Sequence, residues 1–185
     1  MKTSCLLCVL CCVAATGYAR DIAGTAVPET LAARGVSLKL NGAGVRTKFF
    51  MDIYVGSLYL LQPRKDPGVI IRSDEPMAIR LQILSSLISS DKMEAATREG
   101  FQNATGGAVA PLRDEIERFI EVFRETIVKN DVYEMIYVPG DGTQIYKNGT
   151  LKTTISGLPF KQALFGIWLC EKPAQESLKQ QMLGR

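Results

Sequence analysis

Arg46 is the residue of this chain best placed to do chemistry. It follows Asn41-Gly42-Ala43-Gly44-Val45 and enters an apolar, aromatic run that contains Phe49, Phe50, Met51, Tyr54 and Tyr59. A guanidinium in such a run needs an acidic partner, ordered water or an anionic ligand to replace its lost hydration. It offers paired donors to a carboxylate or phenolate, in charge-assisted bonds about twice as strong as neutral ones. A tyrosine hydroxyl on the same face adds a third contact. An ion pair to Asp52, Glu99 or another acid, with Tyr54 and Tyr59 merely packed, accounts for the same residues without any ligand.

What the chain lacks narrows the chemistry further. It has no histidine, which excludes Ser-His-Asp and Cys-His machinery and histidine metal sites. Of its cysteines, only Cys170 lies beyond the first dozen residues. Zinc and iron–sulfur sites are therefore not expected, and neither is any other metal or cofactor. Asp141, between Gly140 and Gly142, lacks the further acids of a calcium loop and reads as a hairpin turn. Any chemistry falls to Arg, Lys, Tyr, Ser, Thr, carboxylates or backbone groups.

The N-terminus reads as a signal for export. Met1-Lys2 supplies a positive start, Cys5 to Ala15 an apolar run, and Thr16-Gly17-Tyr18-Ala19 small residues before a cut after Ala19. The apolar run is well short of the ~20 residues that span a bilayer. Residues 1–19 are thus assigned to a signal peptide and 20–185 to one domain, with no membrane span after cleavage. The expected location is outside the cytoplasm, in the periplasm. A formal charge of +3 with no basic run gives no sign of nucleic-acid binding.

The elements that must position Arg46 are legible from periodicity. Alternation predicts strands at about 36–41 and 45–61, joined by a bend at Asn41–Gly44, and another over Met77–Leu84. Thr30 to Ala33 reads as a turn. Ser89-Ser90-Asp91, with Glu94 three residues beyond Asp91, reads as a capping box opening a helix to about residue 103. A second helix follows Pro111, its stripe of Leu112, Ile116, Phe119, Ile120, Phe123 and Ile127 facing a sheet. Three short strands run from Asp131 to Ile155. An apolar helix over Leu158–Leu169 and a polar-faced one over Gln175–Leu183 close the chain. Strands and helices are segregated rather than strictly alternating, which points to an α+β domain.

Two segments, NGAGVRTKFFMDIYVGSLYL from Asn41 and ALFGIWLCEKPAQESLKQQML from Ala163, resemble the chalcone isomerase-like family, and its exported bacterial branch in particular. The resemblance implies an open-faced β-sandwich, a curved antiparallel sheet with a layer of helices against it and a ligand cleft between. It also implies roles. In the plant isomerases an arginine placed like Arg46 polarises the substrate, and a hydroxyl on the next strand, here Tyr54 or Tyr59, assists. In fatty-acid-binding relatives an Arg and a Tyr grip a carboxylate. Phe50, with Phe49 and Met51, is a candidate for the tail site.

The chain departs from the enzymes where they orient a chalcone. SDKMEAATREGFQN has no tyrosine, Asn103 falls late in it, and Phe165-Gly166-Ile167-Trp168 replaces a Ser/Thr-bearing segment. The expected function is accordingly noncatalytic binding of a fatty acid or similar amphipathic carboxylate, through Arg46, Tyr54, Tyr59 and Phe50. An intramolecular lyase of the chalcone isomerase type, with a phenolic ligand and with Arg46 and Tyr54 as its catalytic pair, is one alternative. A cell-envelope protein-interaction module is another. Oligomeric state is not legible.

Overall fold

Hydrophobic alternation from Thr30 onward builds a seven-stranded antiparallel sheet in simple chain order in the computed structural model, which describes residues 19–185. A two-stranded hairpin, β1 (Ala19–Ile22) and β2 (Thr25–Pro28), precedes it. The sheet comprises β3 (Thr30–Ala33), β4 (Val36–Lys48), β5 (Met51–Leu60), β6 (Met77–Ile83), β7 (Val132–Val138), β8 (Gly142–Lys147) and β9 (Thr150–Ile155). The helices are α1 (Pro67–Arg72), α2 (Ser90–Ala104), α3 (Arg113–Glu121), α4 (Leu158–Leu169) and α5 (Glu176–Met182). The expected signal sequence lies, apart from Ala19, outside the described residues.

The sheet curls, so that β3 folds back over β6 and β7. A small cluster of Leu31, Leu38, Tyr59, Ala78 and Ile136 fills that side. The larger core lies on the other side, where Leu58, Ile79, Leu81 and Met135 meet Phe101, Phe119, Phe160 and Leu164 from the helices. The architecture is the α+β one read from the sequence, a curved antiparallel sheet with a helical layer. α3 buries Ile116, Phe119 and Ile120, as its stripe requires.

Several local expectations are corrected. Asn41–Gly44 is not a bend, because β4 continues through it, with only a bulge at Asn41, and pairs with β5 as far as Lys48 opposite Met51. The reversal comes instead at Phe49-Phe50, both in the left-handed region, with φ of 50° and 62°. Thr30–Ala33 is a strand rather than a turn, since it pairs residue by residue with β4. α2 is capped by Ser89, whose hydroxyl accepts from the Lys92 amide at 3.3 Å, while Glu94 reaches forward to Arg98 rather than back to the cap. α1 was not anticipated; Asp66 caps it, Pro67 opens it, and Ile70 is its one buried residue.

Candidate functional site

The two glycines before Arg46 seat a helix. Gly42, Gly44 and Arg46 share one face of β4, and α5 lies across the glycine end of that face. A Cβ on Gly42 would overlap the Gln181 carbonyl, and one on Gly44 the Gln181 side chain. α5 is fastened there by Asn41, whose amide donates to the Met182 carbonyl at 2.8 Å. At its other end the Gln175 side chain accepts from the Thr47 amide at 2.9 Å. Arg46 emerges just past the start of α5, where the side chain has room to turn inward.

Register then delivers the second polar group. Arg46 is the direct cross-strand partner of Tyr54, so the two side chains rise on the same face. Both line a cavity of about 290 Å³ between the sheet and the helical layer, near the lower end of the roughly 300–1,000 Å³ of small-molecule sites. Its apolar wall comes from Ile53 and Leu81 on the sheet, Met93 on α2, Phe119 and Phe123 from the α3 region, and Ile167 on α4. The mouth carries Lys48, Phe49, Met51, Leu87 and Lys92.

Arg46 is half-buried and donates from Nη1 to the Ala174 carbonyl in the loop before α5. No ion pair to Asp52 or Glu99 forms among the described residues. Asp52 instead accepts from the Thr47 hydroxyl at 3.0 Å. A guanidinium carries five N–H donors, so most of them remain for a guest.

Tyr54 is buried, and the Trp168 indole donates to its hydroxyl oxygen at 3.0 Å. That bond fixes the phenol and leaves its own proton to donate. Burial pushes the Tyr54 pKa up; the Trp168 hydrogen bond and the Arg46 charge pull it partly back. The phenol therefore stays protonated near neutral pH and acts as a donor. Together Arg46 and Tyr54 suit an oxyanion, and the wall beyond them suits an alkyl chain.

The other two candidates from the sequence lie elsewhere. Tyr59 is on the opposite face of β5, in the smaller cluster, with its hydroxyl donating to the Pro28 carbonyl at 2.9 Å. Its odd separation from Tyr54 along one strand dictates this. Phe50 sits at the tip of the β4–β5 turn, fully exposed, and does not line the cavity. Trp168 and the Ala174 carbonyl were not singled out as partners, since neither a packed aromatic nor a backbone oxygen has a sequence signature. Thr97 and Asn103 also line the cavity. The spacing of Met93, Thr97 and Gly100 marks the helix face that carries the first of these.

Comparison with known proteins agrees with the fold. A family described as chalcone isomerase-like matches residues 19–184. A crystal structure of a fatty-acid binding protein from Arabidopsis thaliana superposes with a TM-score of 0.70 at 14% identity, over 90% of this chain and 95% of that one. No curated protein sequence matches the chain.

Proposed function

Because the chain belongs to the chalcone isomerase-like family, and because its cavity sets a guanidinium opposite a protonated phenol, we propose that it binds a fatty acid or similar amphipathic carboxylate without converting it. The carrying observation is the Arg46–Tyr54 pairing at the polar end of an apolar cavity. The carboxylate takes the free Arg46 donors and the Tyr54 hydroxyl, and the tail lies against Leu81, Met93 and Ile167. The fatty-acid binding named for the Arabidopsis protein supports this reading. At ~0.8 kcal/mol per buried CH₂, a tail of about ten carbons supplies up to about 8 kcal/mol before ordering costs. Micromolar affinity, at about −8 kcal/mol, is the scale to expect.

Titration calorimetry with decanoate tests the proposal. Wild type binds in the micromolar range, and Arg46→Ala weakens binding by about 10- to 100-fold, as loss of charged hydrogen bonds worth roughly 1.5–3 kcal/mol requires. Equal affinity in the two proteins, or none in wild type, overturns it. The isomerase reading retains one support, the polar Thr97 and Asn103 on the cavity wall. Stereoselective conversion of a hydroxychalcone to a flavanone, lost in Arg46→Ala, is the result that replaces binding with catalysis.

The proposal includes export, through the sequence features of residues 1–19. A cut after Ala19 falls at the outer end of β1, where Ala19 pairs with Pro28, and leaves the remaining pairs of that hairpin in place. N-terminal sequencing of protein from the periplasmic fraction, expected to begin at Arg20, checks it.

A further inference from the structure

The tip of the β4–β5 hairpin is built in a way that the hairpin itself does not need. A two-residue turn with both residues at positive φ is served best by Asn-Gly, yet this one carries Phe49 and Phe50 at φ of 50° and 62°. Bulky residues are strained there. Both are also left in solvent, Phe49 at 79% exposure and Phe50 at 104%. Neither strain nor solvation favours aromatic residues in this turn, and their exposure points to a use beyond the fold itself.

Their surroundings indicate what that use is. Met51 and Leu87 are also exposed, and with Phe49 they stand at the mouth of the cavity. Lys48 and Lys92 flank them. The Lys48 ammonium lies 5.7 Å from the centre of the Phe49 ring, and Lys92 donates to the Leu87 carbonyl at 3.0 Å. The neighbouring acid, Asp52, is engaged by Thr47, and Glu99 lines the same cavity. An apolar prow flanked by lysines matches a surface with hydrocarbon beneath and negative charge at its edge.

We propose that this mouth docks on a membrane surface containing anionic phospholipid, with Phe49, Phe50 and Leu87 entering the acyl boundary and Lys48 and Lys92 meeting the headgroups. The inference rests on the binding reading above for its purpose: the cavity opens directly onto the bilayer, so an acyl chain passes between the two without crossing water. Charge decides for lipid over a second copy of this chain, because copies meeting at this mouth would oppose Lys48 and Lys92 to themselves.

Vesicle co-sedimentation tests it. Wild type pellets with phosphatidylethanolamine–phosphatidylglycerol vesicles, much less with phosphatidylcholine vesicles, and less at high salt. Phe50→Gly relieves the turn and lowers partitioning about tenfold, the scale set by burying one large apolar side chain, while decanoate binding in solution is unchanged. The double change Phe49→Asn with Phe50→Gly abolishes pelleting and raises the melting temperature, which separates lost docking from lost folding. Absence of wild-type pelleting, or equal pelleting of Phe50→Gly, overturns the proposal. So does a wild-type dimer in sedimentation velocity that Phe50→Gly dissolves. Vesicle binding without decanoate binding leaves docking intact and defeats only the carboxylate reading.

Discussion

Lys161 and Arg46 are two cations carried into the interior, and their partners separate a structural role from a binding one. Lys161 is wholly buried on α4, and its ammonium donates to the carbonyls of Ile70, Ile71 and Ser73 at 3.0, 2.9 and 2.7 Å. These close the C-terminal end of α1, whose last carbonyls have no intrahelical donors. All its hydrogens are used. Arg46 spends one bond on a loop carbonyl and keeps the rest. Burial pushes the Lys161 pKa from its ordinary 10.5 down to about 8, against the opposing pull of Asp74 and Glu75. Below pH 8 folded and unfolded chains are both protonated there, and the burial cost is borne in full. Between 8 and 10.5 the unfolded chain holds more protons, so this group's contribution to stability rises with pH. Wild type should therefore gain about 1–3 kcal/mol relative to Lys161→Met between pH 7 and pH 9.5. Urea denaturation of both proteins at each pH measures the difference. The range stops short of the tyrosines, which ionise near 10 when unfolded and are pushed to about 12 at Tyr59 and Tyr137. A gap between wild type and variant that does not change with pH would contradict the burial argument.

At the scale of elements, the seat of α5 on β4 fixes where Arg46 emerges. The two seat positions differ in what opposes a new methyl group. At Gly42 it meets the Gln181 and Met182 backbone oxygens, which cannot yield without moving the helix; at Gly44 it meets the Gln181 side chain, whose amide end can swing aside but whose Cβ, 2.7 Å away, yields only with the helix. Gly42→Ala should cost about 3 kcal/mol and Gly44→Ala about 1–2 kcal/mol, within the usual range for overpacking. Equilibrium denaturation ranks them, and the reverse order would mean that α5 is not held by its backbone. The same glycines show where sequence reading stops. Period-two alternation revealed the long strands and a 3.6-residue stripe revealed α3, because each pattern encodes a buried face, while a cap signal marked α2 and an apolar run marked α4. Yet a glycine pair signals equally a turn or a close approach, and only the helix returning from the far end of the chain decides between them. Likewise Phe49-Phe50 carries no turn signal, so the reversal was placed at the glycines. Arg46 and Tyr54 were readable as a site because charge and hydroxyl stand out in an apolar strand. Phe50 was misplaced once the turn position was wrong, whereas Tyr59 stands on the far face by its odd separation from Tyr54, wherever the turn falls.

For the molecule as a whole, the cavity matters because it lies where every layer meets. Leu81 belongs to the sheet, Met93 to α2, Phe119 to α3 and Ile167 to α4. A guest that fills it adds contacts to four elements that already share one core beside it. Such a guest binds the folded state and not the unfolded one, so it must raise the stability of the whole domain. At a hundredfold excess over its Kd the gain is about 2.7 kcal/mol. For a domain of this size 1 kcal/mol moves Tm by roughly 2–4 °C, so decanoate should raise Tm by roughly 5–10 °C. Decanol has the same tail without the charge and should give a much smaller shift at equal concentration. In Arg46→Ala the two should become alike, since the tail contacts survive and the anion's partner is gone. Differential scanning fluorimetry across a dilution series of both ligands reads this directly. Equal shifts from decanol and decanoate in wild type would show a greasy hole indifferent to headgroup, and Arg46 would then be only the latch that ties β4 to the loop before α5.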